Sequence, residues 1–374
     1  MKPERQQTCQ RHLLHVFASF GYGGVPIRIC DVINGLPVGF RHTVVALDGC
    51  FDAKRRLASH ATAAFRPLSL PKYNLLRSLR QVKSLVREVS PDLLLTYNWG
   101  AIELALANRV LDACTHVHFE SGFGIEEGSG QLWRRNLFRR VALARTRKVV
   151  VPSETLMKIA AETWSIEPGR LLQIPNGVDL LRYNGEPGIR EPLPPFGPEL
   201  TVIGTVAPLR PEKNVGRLLR AFAALPGRDR CALLIAGDGA EAAILRSLAS
   251  ELRIADRTVF LGHVDDVPAM LRGIDIFALS SDTEQMPNSL LQAMAAGRPV
   301  AAVDVGDVAR IVALENRPFV VPRDVSGALT GALAALADDP ERRRMLGLQN
   351  QARAKAHYSL DGMVAAYGAL LGAV

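Results

Sequence analysis

Residues 274–303 of the chain have the sequence IDIFALSSDTEQMPNSLLQAMAAGRPVAAV. An apolar run at Ile274–Ser280 opens this stretch and another at Pro299–Val303 closes it, and both have the length and composition of buried strands. Between them, Pro287 suits the first turn of a helix about three turns long, and Gly297 suits its exit. A strand, a helix and a second strand in this order are the repeating unit of a parallel sheet.

The same alternation of short aliphatic runs and longer amphipathic stretches extends along the whole chain. Because both faces of such a sheet are covered by helices, its strands are expected to be buried and nearly continuous in apolar residues. Further strands are predicted at His12–Ala18, His42–Leu47, Asp92–Thr96, His116–Phe119, Lys148–Pro152, Leu171–Ile174, Leu200–Val206, Ala232–Ala236, Thr258–Leu261 and Phe319–Val321.

A segment rich in Pro and Gly, 184–198, interrupts the pattern and is unsuited to a helix or a central strand. We therefore predict an α/β protein with two Rossmann-like domains facing a central cleft. The N-terminal, acceptor-binding domain is expected at 1–186 and the C-terminal, donor-binding domain at 199–356. The last segment, 357–374, has a helical pattern. Ligands of open α/β sheets lie beyond the carboxyl ends of the strands, so the chemistry is expected in the loops there.

Composition supports an ordinary globular protein and excludes several classes. The 374 residues are 48% hydrophobic and 22% charged, and the chain is long enough for two cores. No apolar run reaches the roughly 20 residues that cross a bilayer, and the polar start, Met1–Arg11, lacks the apolar core of a secretion signal. Five dispersed cysteines without metal-binding spacing are typical of reduced thiols in a cytosolic protein. We expect no metal site and no cofactor.

The net charge of +8 predicts an anionic partner. The segment Gln131–Lys148 contains no acidic residue and interleaves apolar side chains with arginines, as an interfacial amphipathic helix does. Two interpretations stay open: peripheral association with an anionic membrane surface, or a solvated helix whose arginines lie over the domain. Nucleic acid is not expected, since neither zinc spacing nor an aromatic RNA-binding motif accompanies the charge.

Two loops in the first half have residues suited to binding. The glycines of Gly21-Tyr-Gly-Gly24 follow the first strand and would let backbone N–H groups approach a phosphate. His116 and His118 point to the same face of their strand. We interpret His116 as a hydrogen-bonded core residue and His118, nearer the carboxyl end, as a donor to a substrate oxygen.

Two loops in the second half have residues suited to a diphosphate. Arg210 and Lys213 follow a strand and precede the amphipathic stretch Val215–Ala223, where they can neutralise a leaving group. The N–H groups of three residues, Asn288, Ser289 and Leu290, are expected to be free at the start of the next helix. Glu284 lies just ahead of that helix and can accept hydrogen bonds from hydroxyl groups.

Six motifs, in this order and spacing, resemble those of the retaining glycosyltransferases of family 4, which have the GT-B fold and include enzymes of bacterial envelope polysaccharide assembly. The resemblance extends over almost the whole chain. The motifs are Gly23-Gly24, Pro175-Asn-Gly-Val-Asp179, Arg210-Pro-Glu-Lys-Asn214, Ala236-Gly-Asp-Gly239, Phe260-Leu-Gly-His-Val264 and the stretch from Glu284 to Gly297.

The resemblance implies roles for individual residues. Lys213 would stabilise the departing phosphate and Glu284 would bind the donor sugar; with His118 near the reacting sugar, these form the catalytic set. The remaining donor contacts would come from Gly23, Gly24, Arg210, His263, Val264, Asn288, Ser289, Leu290 and Gln292. Acceptor binding is expected from Asn98, Trp99 and Glu120.

Two positions depart from the family pattern. Gln292 stands where the family has a second glutamate, which accepts hydrogen bonds from the ribose, and a neutral amide is a weaker acceptor than a carboxylate. Pro208 stands where the family has an arginine, and Arg210 is the candidate for supplying that charge. Asp265-Asp266 lies outside the context of a metal-binding DxD motif and is interpreted as a helix cap.

The resemblance therefore implies a retaining, metal-independent hexosyltransferase. Its donor would be a nucleotide-diphosphate sugar, based on UDP or GDP, and its acceptor a saccharide or lipid-linked sugar in polysaccharide, lipopolysaccharide or glycolipid assembly. We expect it in the cytoplasm, at the inner face of the membrane if Gln131–Lys148 binds there. By resemblance, 357–374 would cross back to the N-terminal domain. The alternatives are a nucleotide-sugar isomerase or hydrolase of GT-B type, or a catalytically weak nucleotide-sugar-binding partner subunit.

Overall fold

The computed structural model describes residues 10–69, 75–123, 125–127, 131–184, 190–191 and 197–374. They divide into two compact units. The first consists of Met1–Gly122, Gln131–Pro175 and Asp361–Val374, and the second of Phe123–Gly130 and Asn176–Leu360. Most of the predicted linker, 184–198, lies outside the described residues.

The first unit contains a seven-stranded parallel sheet with the order β3-β2-β1-β4-β5-β6-β7. Six of its strands lie where the sequence predicts them, within a residue or two at each end. The seventh, β3, has half-exposed residues and ends in a proline at the sheet edge, so its sequence lacks the buried apolar run of the others. The strands are β1 (Arg11–Phe17), β2 (Phe40–Ala46), β3 (Ala63–Pro67), β4 (Leu93–Tyr97), β5 (His116–Phe119), β6 (Lys148–Val151) and β7 (Leu171–Gln173).

Five helices follow strands of this sheet. One of them begins at a standard cap, since the Ser153 side chain accepts a hydrogen bond from the Leu156 N–H at the start of α5. The helices are α1 (Gly24–Gly35), α2 (Leu75–Val89), α3 (Ile102–Leu111), α4 (Trp133–Ala142) and α5 (Glu154–Glu162).

The second unit contains a six-stranded parallel sheet with the order β10-β9-β8-β11-β12-β13. All six strands are predicted by the sequence, and four of them, β8, β9, β11 and β12, are short, mainly buried apolar runs, whereas β10 and β13 are partly exposed. They are β8 (Thr201–Val206), β9 (Cys231–Ala236), β10 (Thr258–Gly262), β11 (Ile276–Leu279), β12 (Val300–Val303) and β13 (Val320–Val321).

The remaining described residues contain eight further α-helices. Asp266 caps α8 by accepting a hydrogen bond from the Ala269 N–H at 3.0 Å, as predicted. The last helix, α13, packs on the first unit, where the Tyr367 ring stacks on Phe119 with centroids 5.3 Å apart. The helices are α6 (Val215–Ala223), α7 (Ala242–Glu251), α8 (Val267–Arg272), α9 (Asn288–Ala295), α10 (Val308–Ile311), α11 (Ala328–Ala337), α12 (Pro340–His357) and α13 (Leu360–Ala373).

Both sheets confirm the predicted α/β class with two Rossmann-like parallel sheets. In each, the strand order reverses beside the first strand: between β1 and β4 in the first unit, and between β8 and β11 in the second. Loops at such a reversal diverge to opposite faces and leave a crevice at the carboxyl ends of the strands. Within the described residues, no helix is both long and apolar enough to cross a bilayer.

Candidate functional site

In the second unit, the reversal of strand order brings two predicted residues together. Lys213 follows β8 and Glu284 follows β11, and these strands are neighbours in the sheet. The Lys213 ammonium donates to Glu284 Oε1 at 2.6 Å, and the Ser281 hydroxyl donates to the same oxygen at 2.8 Å. Their side chains are 21% and 10% exposed, so the pair lies largely out of water but remains accessible.

Asp282 fixes the loop that carries Glu284. Its carboxylate accepts from Asn214 Nδ2 at 3.0 Å and from an Arg217 guanidinium nitrogen at 2.7 Å, and its N–H donates to the Glu212 carbonyl. Asn214 has a φ of 41° and caps α6 by accepting from the Arg217 N–H. The two loops are thus tied together on both sides of the Lys213–Glu284 pair. We did not predict Asp282, because its partners are about 70 residues away in the sequence.

A glycine after β12 supports the same loop from another side. Gly306 has a φ of 57°, and a Cβ atom there would lie 2.1 Å from the Glu284 carbonyl oxygen. Only glycine fits this close approach and this conformation. Gly306 therefore helps to set the backbone position of Glu284, a role that nothing in its local sequence indicates.

The start of α9 differs in part from its prediction. Pro287 is the N-cap and the helix has eight residues, slightly more than two turns rather than three. The Leu290 N–H donates to the Pro287 carbonyl at 3.2 Å, so the prediction that this N–H is free is wrong. The bond forms because the first turn of the helix is tight, with an i to i+3 pattern.

Asn176 holds the same helix start. Its buried side chain donates to the Met286 carbonyl and to Asn288 Oδ1, both at 2.9 Å. The Pro175-Asn-Gly-Val-Asp179 motif thus has a structural function at α9 that the sequence alone does not indicate. Ser289 and Gln292, in the first two turns of α9, are both partly exposed.

The other predicted donor residues lie on loops at the same edge of the sheet. Arg210 is exposed and precedes the short 3-10 helix that ends at Lys213. Gly239 follows β9, and a Cβ atom there would lie 2.4 Å from the Leu209 carbonyl oxygen, so the loops after β8 and β9 touch through glycine. After β10, His263 is exposed and its ring lies 3.3 Å from the Asp265 carboxylate, while Val264 is partly buried.

In the first unit, predicted residues again surround the reversal of strand order. Gly23 is the N-cap of α1 and Gly24 its first residue. Asn98, just after β4, has a φ of 57°, and its side-chain oxygen accepts from the Ser121 N–H at 2.8 Å. Arg28 of α1 donates to the Ser121 hydroxyl at 2.6 Å. The loops after β1, β4 and β5 are therefore neighbours, but the Asn98 side chain is engaged within the protein.

His118 and Glu120 are both fully buried. Their nearest polar atoms, His118 Nε2 and Glu120 Oε2, are 3.9 Å apart, and Glu120 Oε2 is 3.6 Å from the Arg139 guanidinium. Within the described residues, the two Glu120 carboxylate oxygens have no hydrogen-bond partner, and His118 Nε2 has none either. Buried groups of this kind are rare in proteins and mark a candidate functional position.

Two further first-unit residues are engaged by neighbours. The Trp99 ring lies 4.9 Å from the guanidinium groups of Arg135 and Arg139 on α4. The two ring nitrogens of His116 are both hydrogen-bonded, Nε2 to the Thr96 hydroxyl at 2.7 Å and Nδ1 to the Thr146 hydroxyl at 3.1 Å. This confirms His116 as a hydrogen-bonded core histidine. Among the described residues, no group of three or more His, Cys, Asp or Glu side chains is arranged to hold a metal ion.

Two family models match the chain, one on each side of the predicted linker. The model described as Glycosyltransferase Family 4 matches residues 22–182, and the model described as Glycosyl transferases group 1 matches residues 194–353. The loops described above, from Gly23 to the start of α9, lie within these matches.

Curated relatives include the putative glycosyltransferase EpsF of Bacillus subtilis, 26% identical over 79% of this chain and 80% of its own length. Another is a GDP-mannose-dependent alpha-(1-6)-phosphatidylinositol monomannoside mannosyltransferase of Mycobacterium tuberculosis, 30% identical over 70% of this chain and 69% of its own.

Solved structures with the same fold include sucrose-phosphate synthase from Thermosynechococcus elongatus, with a TM-score of 0.81 and 20% identity over 96% of this chain and 98% of that one. Anabaena HepE in complex with UDP and glucose has a TM-score of 0.79 and 18% identity over 98% of this chain and 100% of that one. With its two parallel-sheet units and both family models matched in order, the chain belongs to glycosyltransferase family 4 and has the GT-B fold.

Proposed function

We propose that the protein transfers a hexose from a nucleotide-diphosphate sugar to a saccharide or lipid-linked acceptor, with retention of configuration and without a metal ion. The observation that carries the proposal is the Lys213–Glu284 pair, at 2.6 Å, at the strand-order reversal of the second unit. Two similar proteins support a nucleotide-sugar donor: the mycobacterial enzyme is GDP-mannose-dependent, and Anabaena HepE has been solved in complex with UDP and glucose.

The two charged groups have complementary roles in this proposal. The Lys213 ammonium stabilises the negative charge that develops on the departing diphosphate, an effect strengthened where water is scarce. Glu284 accepts hydrogen bonds from hydroxyl groups of the donor sugar. In the free protein, Lys213 and Glu284 form an ion pair with each other. A bound donor would replace this ion pair with one contact to each of the two residues.

The neighbouring loops would complete donor binding. Asn288 and Ser289 start α9, where the N-terminal end of the helix dipole favours phosphate oxygens. Gln292 would contact the ribose, the backbone near His263 and Val264 would flank the base, and exposed Arg210 would add positive charge near the diphosphate.

The glycines after β1 are suited to the close approach of a phosphate group to the backbone. Gly23 has an extended backbone, and a Cβ atom there would meet nothing closer than Pro26 Cδ at 3.7 Å. The fold itself therefore tolerates a side chain at position 23. A close approach by a phosphate group to Gly23 and Gly24 would explain why glycine is used.

We place His118 near the reacting sugar, and assign acceptor binding to the loops of Asn98, Trp99 and Glu120. Because Asn98 and Trp99 are held by Ser121 and by two arginines, they would shape the acceptor pocket rather than reach into it. Glu120, whose carboxylate has no hydrogen bond among the described residues, is the group suited to accept one from an acceptor hydroxyl.

The proposed reaction takes place on one face of the sugar. The bond from the sugar to the diphosphate breaks, the acceptor oxygen bonds to the same carbon, and a leaving phosphate oxygen takes the acceptor proton. Glu284 Oε1 is already held by Lys213 and Ser281, which suits a hydrogen-bonding role better than that of a covalent nucleophile.

Product analysis tests the proposal against its alternatives. The protein is incubated with UDP- and GDP-sugars, with and without saccharide and lipid-linked acceptors, in the presence and absence of a chelator. We expect chelator-insensitive transfer with retained configuration. Hydrolysis or epimerisation that no acceptor alters would favour the isomerase or hydrolase, and binding without any product would favour the partner subunit.

We also propose peripheral attachment to an anionic membrane through α4. Trp133, Leu137 and Val141, spaced four residues apart on one face of the helix, are 69%, 52% and 43% exposed. Exposed Arg134 and Arg140 flank this apolar stripe. The arrangement matches a helix that lies in the membrane interface.

The opposite face of α4 supports the same proposal, because it holds polar groups inside the protein. Arg139 is fully buried, 4.9 Å from the Trp99 ring and 5.0 Å from the Trp164 ring. The Asn136 side chain accepts from the Trp164 indole N–H at 3.1 Å. The helix therefore presents its apolar side outward, against the usual pattern of a solvated helix.

Flotation with liposomes tests the attachment. Vesicles with anionic lipid should carry the wild-type protein upward at low salt, and Trp133→Ser with Leu137→Ser should remain at the bottom. Val110→Ser, a change at an apolar residue of α3 that is 61% exposed, is the matched control and should float like wild type. Equal flotation of the α4 variant, or none by wild type, would contradict the proposal.

A further inference from the structure

A chain of buried hydrogen bonds runs through the sheet of the first unit beneath His118. The Thr96 hydroxyl on β4 lies 2.8 Å from His118 Nδ1 and 2.7 Å from His116 Nε2, both on β5. His116 Nδ1 lies 3.1 Å from the Thr146 hydroxyl. All four side chains are buried, with exposed fractions of 5% or less.

The chain has one end at the candidate site and the other at solvent. At the first end, His118 Nε2 faces the Glu120 carboxylate across 3.9 Å, a gap that one oxygen atom can bridge with hydrogen bonds to both. At the other end, His116 and Thr146 line a cavity of about 340 Å³ together with Cys114, Arg145 and Arg147. That cavity is open, so water can reach Thr146.

The hydroxyl of Thr96 couples the two rings, because it has only one hydrogen to donate. If it donates to His116 Nε2, then His118 Nδ1 must donate to Thr96, and both rings carry their proton on Nδ1. If it donates to His118 Nδ1, both rings carry their proton on Nε2. In either case the hydrogen bonds all point in one direction, and a single proton passed along the chain reverses them.

We propose that His118, Thr96, His116 and Thr146 form a proton relay from the candidate site to the cavity behind the sheet. The relay would serve the proposed transfer reaction, and the inference rests on that proposed function. The acceptor proton, once the transfer reaction has released it, passes to His118 Nε2. The Nδ1 proton of His118 moves to Thr96, the Thr96 proton to His116 Nε2, the Nδ1 proton of His116 to Thr146, and the Thr146 proton to water.

This balance leaves every relay group neutral. Each of the four groups gains one proton and loses one, so no buried imidazolium persists, and the rings finish with their protons on Nε2. Burial favours the neutral form: the pKa of His116 is held well below its ordinary value by desolvation and by the neighbouring His118. Glu120 and, beyond it, Arg139 are the charged groups that face His118.

The structure provides a matched control for testing Thr96. Thr43, on β2 of the same sheet, is also buried, and its hydroxyl lies 2.8 Å from His12 Nε2. Thr96→Val and Thr43→Val each remove one buried hydroxyl that is hydrogen-bonded to histidine, while keeping the side-chain shape. Both should lower the unfolding temperature, Thr96→Val by more, because it leaves two buried ring nitrogens without their partner and Thr43→Val leaves one.

The relay predicts different effects on transfer. Thr96→Val should lower kcat by about tenfold or more, the scale of positioned proton transfer, while the donor KM stays within about twofold. Thr43→Val should keep the wild-type kcat. If the two variants have the same kcat, the relay is refuted while the proposed transfer function remains intact.

A spectroscopic measurement tests the relay without any activity. Imidazole nitrogen-15 shifts of the full-length protein should give the same neutral tautomer for His116 and His118, and Thr96→Val should remove this coupling. Opposite tautomers in the wild-type protein would overturn the relay, because Thr96 would then face two N–H groups or two lone pairs. The tautomer measurement tests the relay even if no sugar transfer is detected.

Discussion

In the free protein, Lys213 and Glu284 form an ion pair with each other. The proposed donor would contact both of these residues. The pair is mostly buried, so each charge depends on the other for stabilisation. Removal of either residue leaves one partly buried charge without its partner, but the supporting bonds of Asp282 with Asn214 and Arg217 remain. The local fold should therefore survive the loss of either side chain.

Lys213→Ala and Glu284→Ala should each lower the rate of sugar transfer by about a hundredfold or more, the scale expected when a group stabilising transition-state charge is removed. Their unfolding temperatures should stay within a few degrees of wild type. Steady-state kinetics and thermal unfolding measure both quantities. Arg230→Ala, which removes an exposed ion pair with Asp338 in the same unit, is the control. Normal turnover by either site variant would contradict the assignment.

At the residue scale, the sequence identifies side chains that follow strands but not those that hold them in place. Lys213 and Glu284 are predictable because each follows a buried strand in a recognisable motif. Asp282, Asn176 and Gly306 act through partners distant in the sequence, and only the folded chain shows these contacts. The free N–H predicted at Leu290 is wrong because the cap geometry of a helix depends on the φ and ψ of its first turn.

At the scale of elements, the first sheet is unusual in burying a row of histidines. His12 and His15 lie on β1 and His42 on β2, and His15 Nε2 is 3.0 Å from His42 Nδ1. Burial is the largest cause that lowers the pKa of all three, and it lowers the pKa of His42 to about 4. The charge of Arg41 lowers the pKa of His12 further, while Asp92 raises it.

The protein should therefore lose stability in mild acid. Unfolded histidine has a pKa near 6.5, so between pH 6.5 and 4 the unfolded chain binds more protons than the folded one, and the free energy of unfolding falls as the pH falls. His42 alone should contribute about 2 kcal/mol to this loss between pH 7.5 and 5. Urea unfolding at both pH values measures it.

Two variants identify the source of this pH dependence. His42→Gln should reduce the difference in unfolding free energy between pH 7.5 and 5, since it removes one group that must stay neutral. His60→Gln, at an exposed histidine, should leave the difference unchanged. The account would be wrong if the wild-type protein were equally stable at both pH values, or if the two variants had the same effect.

Elements with strong patterns are predictable from the sequence, and weak ones are not. Buried strands such as β9 and β12 are continuous apolar runs, so the sequence places them correctly within one or two residues. The edge strand β3 lacks this signal because all of its residues are partly or largely exposed to solvent. The length of α9 was overestimated, since its proline serves as the cap rather than as the first helical residue.

At the scale of the whole molecule, the two units repeat one design. Each has a parallel sheet whose strand order reverses beside its first strand, and each places the predicted residues on loops at that reversal. The fold class follows from the alternation of strands and helices, which is typical of a parallel sheet covered by helices on both faces. The family follows from six short motifs in order, none of which is specific alone. The donor's base and sugar and the acceptor depend on pocket shapes that carry no sequence code.

Binding of a nucleotide-diphosphate sugar at the Lys213–Glu284 site is the basis of the proposed function. The most direct test is the unfolding temperature of the wild-type protein and of Lys213→Ala, measured with saturating UDP, GDP and their sugars. A ligand at about 100 times its Kd stabilises the folded state by about 2.7 kcal/mol. We predict a rise of several degrees for wild type with one nucleotide family and a much smaller rise for Lys213→Ala. No rise for wild type with any of these ligands, or an equal rise for both proteins, would contradict the account.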